Sequence, residues 1–187
     1  MVFLYNFSKP ETKSKLVGKL NFKTQIKKFA KEDFLKTWNK IKQSSKDSGK
    51  LTTYFDVKDH FRIEKYLSSN KFQYRQIITK FRISAHSLRI ETGRYERKPN
   101  KENKLIKIVR EERTCLYCNN NDVEDEMHFL LKCPLYSIKR KIFMDFICND
   151  NNQVASLQTK DKFYWLLNNE NINIITKLSE FILKEKL

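Results

Sequence analysis

The sequence predicts a mainly α protein, a small helical domain with a CCHC structural zinc finger, and three observations carry that expectation. Only 3 Gly and 3 Pro punctuate 187 residues, too few for the many tight turns of a β-sandwich or barrel. Apolar residues recur at three- and four-residue steps along several stretches. Four cysteines, Cys115, Cys118, Cys133 and Cys148, fall within one short region, which in a reducing compartment points to metal rather than to disulfides. With 40% hydrophobic and 13% aromatic residues the composition is foldable. The length suits one ordinary domain or two small ones and excludes a polymerase joined to a nuclease.

Taken in order, Ile26, Phe29, Ala30, Phe34, Trp38 and Ile41 predict a helix over roughly residues 24–43, within a basic helical arm spanning 1–50. Residues 44–49 are rich in Ser and read as a loop. A second basic region, 51–110, opens on the short aromatic run Leu51–Val57, which predicts an extended segment. Asp59 is a plausible cap for a short helix carrying Phe61, Ile63, Tyr66 and Leu67. Tyr74, Ile77, Ile78, Phe81, Ala85 and Leu88 predict one helix that stops at Thr92-Gly93. Arg97–Lys104 reads as a charged linker containing Pro99, and Leu105–Val109 as an apolar run of undecided type. After a zinc-binding stretch, 111–148, with a helix through Ile138, Ile142, Phe143 and Ile147, the loop at residues 149–152 leads into C-terminal helices near Phe163–Leu167 and Ile172–Leu183, within 149–187.

Charge is distributed unevenly. The chain carries 38 Lys and Arg against 22 Asp and Glu, a net +16; residues 1–110 hold +18 and the remainder −2. A field so one-sided attracts polyanions, of which nucleic acid is the commonest; the alternative is a solvated basic face on an ordinary domain. The interleaved aromatics offer stacking surfaces for bases, although at helical spacing they also suit a core. The helix through Phe81 is the strongest basic platform, and Lys80, Arg82, Arg89, Arg94 and Arg97 are the expected phosphate contacts. His86 reads either as a polar residue on an amphipathic helix or as a participant in nucleic-acid binding or structure.

Cys115-Leu-Tyr-Cys118 is followed by His128 and Cys133 in the spacing C-x2-C-x9-H-x4-C. One tight turn presents two thiolates, the later pair closes the site, and tetrahedral Zn2+ takes four such N and S donors. A site with no open position is structural rather than hydrolytic. Other readings remain: a redox C-x-x-C, although no thioredoxin-like βαβ pattern surrounds it; Cys148 in place of His128, or as a small core residue beside Phe143 and Ile147; and His128 as a merely buried histidine. Asp122, Glu124, Asp125 and Glu126 crowd the finger and would repel phosphate there.

Several segments together carry a resemblance: Trp38; Lys50-Leu51 with Tyr54; Phe61 with Glu64-Lys-Tyr-Leu67; the run Thr79 to Tyr95; Arg113-Thr-Cys-Leu-Tyr-Cys118; and Val123-Glu-Asp-Glu-Met-His-Phe-Leu-Leu-Lys-Cys-Pro-Leu-Tyr136 with Arg140. In order and spacing, over roughly residues 38–147, they resemble the C-terminal region of non-LTR retrotransposon polyproteins, downstream of the reverse transcriptase, and the finger resembles the reverse transcriptase zinc-binding domain. The resemblance implies that Cys115, Cys118, His128 and Cys133 ligate zinc, and that the region holds element RNA or target DNA for the polymerase. Tyr54-Phe55-Asp56-Val57 lacks the second carboxylate that two-metal phosphoryl transfer needs. The expectation is therefore a transposable-element region without catalysis, most simply a truncated or decayed copy. Its partners would be RNA or DNA and a reverse transcriptase body. The alternative is a zinc-stabilised protein-interaction scaffold that docks on a polymerase or another partner. No stretch is long enough for a membrane span or a signal-peptide core, so an intracellular location, nuclear or cytoplasmic, is expected.

Overall fold

A computed structural model of the chain describes residues 19–48, 51–58, 62–69 and 71–185. It divides into two units, Met1–Lys40 and Ile41–Leu187. In the first, the described residues form part of a single helix, α1 (Lys19–Ser48). Phe34 and Trp38, four residues apart, stack there with ring centroids 5.3 Å apart. The loop expected over 44–49 is helical as far as Ser48, and the Ser44 hydroxyl donates back to the Ile41 carbonyl (3.0 Å), a bond that lets serine remain in a helix. The expected cap Asp59 and Phe61 lie outside the described residues.

The second unit is mainly helical. Its long elements are α3 (Phe72–Arg82), α5 (Ser137–Asp150), α7 (Thr159–Asn168) and α8 (Ile172–Lys184), joined by the short helices α2 (Thr52–Val57), α4 (Arg89–Thr92) and α6 (Gln153–Ser156). Helix α8 lies at the centre, in contact with α3, α5 and α7. Its Ile174, Ile175, Leu178, Phe181 and Ile182 are buried at helical spacing, and the Asn171 side chain caps its first turn by accepting from the Asn173 amide (2.9 Å). The core draws on all three stretches after residue 50, with Phe81, Phe129 and Phe181 meeting at centroid distances of 5.9 and 5.7 Å.

Three expected elements take other forms. Leu51–Val57 is not extended. Leu51 adopts φ 62°, the chain turns into α2, and Phe55 and Val57 are buried, with the Tyr164 hydroxyl donating to Asp56 (3.0 Å). The helix expected from Tyr74 to Thr92 breaks after Arg82, because Ser84 sits in the left-handed region (φ 55°) and α4 restarts the helix at Arg89. Arg97–Lys104 is more than a linker: Arg97–Pro99 (β1) and Leu105–Lys107 (β2) pair antiparallel, Arg97 opposite Lys107.

Candidate metal centre

Four donors converge. Cys115, Cys118, His128 and Cys133 each bring one ligand atom, and all four atoms lie within 4.8 Å of one another. The local fold explains how. Thr114 and Val123 form a β-bridge, reinforced by the Cys115 amide donating to Asp122 O (2.9 Å) and the Glu124 amide to Arg113 O (3.0 Å), so residues 115–122 close as a knuckle carrying both early cysteines. Leu116 and Tyr117 at its tip stay exposed. The Asp125 carboxylate accepts from the His128 amide (2.8 Å), and His128–Lys132 then forms a π-turn, closed by the Cys133 amide donating to His128 O (2.7 Å). A five-residue hydrogen-bonded turn brings the ends of the H-x4-C segment together.

Two of the spacings come close to those around a tetrahedral ion. Cys115 Sγ and Cys133 Sγ are 4.0 Å apart and Cys118 Sγ and His128 Nε2 are 3.4 Å apart. Ligand bonds of about 2.3 Å to sulfur and about 2.0–2.1 Å to nitrogen give tetrahedral edges of about 3.8 and about 3.6 Å. Cys115, His128 and Cys133 are buried. Burial pushes the Cys115 thiol up from 9.0 to about 12, and the nearby Cys118, Glu124 and Cys133 add to the rise; burial also raises Cys133. Without an ion Cys115 and Cys133 hold their protons, and an ion that displaces them gains thiolate donors. His128 Nδ1 lies 3.5 Å from the Asp122 carboxylate, outside hydrogen-bond geometry, while Nε2 is the ring nitrogen that approaches Cys118 Sγ. Cys148 lies outside this cluster and stays a free thiol on α5.

Surrounding side chains fix the site to the body. Of the four acids, Glu124 and Glu126 point inward and are buried, while Asp122 and Asp125 remain partly exposed. Glu124 accepts from the Arg89 amide (2.8 Å) and its other oxygen lies 3.7 Å from Cys115 Sγ. Glu126 accepts from the Ser84 hydroxyl and contacts His86 Nε2 at 2.9 Å, which gives His86 a structural place and explains the break after α3. Burial alone would push the Glu126 carboxyl up, but His86 and Ser84 outweigh it and hold it below the usual range. Arg140 on α5 donates to the carbonyls of Leu130 (2.9 Å) and Cys133, and burial lowers its pKa somewhat. Sequence reasoning found the four converging donors but missed the roles of Glu124, Glu126 and Arg140: the two acids answer to groups 35 to 42 residues away, and Arg140 to backbone carbonyls, which leave no side-chain signal.

The expected phosphate contacts scatter. Lys80 is exposed on α3. Arg82 is buried to 1% exposure, donating to Leu167 O (2.7 Å), with Glu64 at 3.3 Å and the Tyr66 ring at 5.2 Å; it reaches no solvent phosphate. Arg89 pairs with Glu96 (2.9 Å) and Arg94 with Glu91 (2.7 Å). Arg97 is exposed on β1. No single helix carries all five. No protein-family model, curated protein or solved structure matches the chain. Among the described residues, no helix is long and apolar enough to cross a membrane.

Proposed function

We propose that the chain is a non-catalytic, zinc-dependent nucleic-acid-binding region, resembling the tail of a retrotransposon reverse transcriptase. The observation that carries this reading is the closed cage of three sulfurs and one imidazole. A Cys3His set is a usual structural zinc donor set, and four protein donors leave no position for an activated water. The net +18 of residues 1–110 supports a polyanionic partner. Among the expected contacts, exposure keeps Lys80 and Arg97 in that role, while Arg89 and Arg94 would first have to leave Glu96 and Glu91.

Elemental analysis of the purified chain should find one zinc per chain. Filter binding of labelled RNA and DNA across a salt series should then give affinities that fall steeply with salt. Material without stoichiometric zinc, or an affinity indifferent to salt, would refute the reading. A second reading, a scaffold that docks on a polymerase body or another protein, draws on one feature: Ile142, 68% exposed, lines an open groove between α5 and α8 together with Phe143, Phe146 and Phe181.

A further inference from the structure

We propose that the β1–β2 hairpin is a phosphate-binding ribbon that takes the phosphodiester backbone of a nucleic acid. This rests on the nucleic-acid reading above and locates where the strand lies.

Between Arg94 and Arg110 the chain carries seven Lys and Arg but only Glu96 and Glu102. Both acids are engaged, Glu96 by Arg89 and Glu102 by Lys104 (2.9 Å). Lys98 pairs with Glu112. Among the described residues, no carboxylate pairs with Arg97, Lys101 or Lys107, and all three are exposed. The register then sets a sharper condition. Arg97 and Lys107 are directly opposite each other, so both side chains leave the same face of the ribbon. Like charges so placed repel, on a two-stranded ribbon that has little stability to spare. An anion lying over that face turns the repulsion into two charge-assisted hydrogen bonds.

The frame behind these cations is well determined. The Asn100 side chain accepts from the amides of Glu102 (3.0 Å) and Lys104 (2.8 Å), and the Asn100 amide donates to Lys104 O (2.9 Å), which fixes the loop and presents Lys101 at its tip. At the base, Ile108 is buried and its carbonyl accepts from the Arg113 guanidinium (3.1 Å). Cations held on a fixed frame lose less entropy on binding than a flexible tail does. Tyr95, 78% exposed two residues before Arg97, adds a ring on which a base can stack. That ring favours nucleic acid over an anionic lipid surface.

The test uses the full chain loaded with zinc and fluorescence anisotropy with a labelled 20-nucleotide single-stranded RNA and a DNA duplex of equal length, across a salt series. One variant combines Arg97→Gln, Lys101→Gln and Lys107→Gln; a control of equal charge loss combines Lys141→Gln, Lys160→Gln and Lys162→Gln. The ribbon variant should bind about tenfold or more weakly, with a salt slope about 2–3 smaller, as the loss of three phosphate contacts requires. The control should bind nearly as the wild type does. Lys107→Glu should abolish the gain from the ribbon while its Tm equals or exceeds the wild-type value, because it converts a repelling pair into an attracting one. Equal weakening in the two triple variants, unchanged binding in the ribbon variant, or a fall of both Tm and binding in Lys107→Glu would overturn the ribbon alone. A wild type that binds neither probe, or only phosphatidylserine vesicles, would overturn the nucleic-acid reading and the ribbon with it.

Discussion

At the scale of single residues, three positions carry consequences out of proportion to their size. His128 contributes the only nitrogen donor of the cage, so His128→Ala should lower bound metal well below one equivalent per chain, read by elemental analysis. Arg82 is a buried cation beside the Glu64 carboxylate. Arg82→Ala leaves that carboxylate with Lys58 alone and should cost about 3–5 kcal/mol in urea unfolding. Gly93 ends α4 with an ordinary helical φ of −64°, so its freedom of backbone is not the reason for it; a Cβ there would meet Arg89 O at 2.7 Å and Arg113 Cγ at 2.9 Å. Gly93→Ala should destabilise by about 1–3 kcal/mol through overpacking, again by urea unfolding. The four converging donors were legible in the sequence because metal-site chemistry restricts both donor type and spacing. Arg82 was not, since helical periodicity placed it on a flank and only the remote Glu64, Tyr66 and Leu167 make its burial tolerable.

At the scale of elements, the π-turn and the knuckle bring the four donors together, and their stability should depend on proton and metal together. Burial pushes Cys115 from 9.0 to about 12 in the metal-free fold. That contribution is fully present below about pH 9 and fades as pH rises toward 12, since the unfolded thiol ionises first. Metal binding has the opposite slope because it needs thiolates. Zinc affinity should therefore drop on acidification, by up to about one log unit per displaced thiol proton per pH unit, measured by competition with a chromophoric chelator. The long helices α5, α7 and α8 were readable from apolar spacing. The short ones were not: six residues such as Thr52–Val57 suit either a strand or a helix turn, and packing against α7 decides. The hairpin was obscured by its charge, although Asn100 and Asn103 between two short runs were a turn signal in plain view.

At the scale of the second unit, finger and helices share one interior. Phe129 belongs to the π-turn yet lies fully buried against Phe81, Tyr136 and Phe181. Phe129→Ala should cost about 3–5 kcal/mol and weaken zinc retention as well, seen as a lower chelator concentration at half release. The mixture of charge and apolar bulk was visible in composition; which aromatics would meet was not, since Phe81, Phe129 and Phe181 come from three distant segments. With one ring serving both the ion's loop and the hydrophobic interior, the finger is a keystone rather than an appendage. Loss of a bound metal would then leave more than one slack loop: the disturbance would pass through Phe129 into the shared interior and lower the stability of the whole second unit.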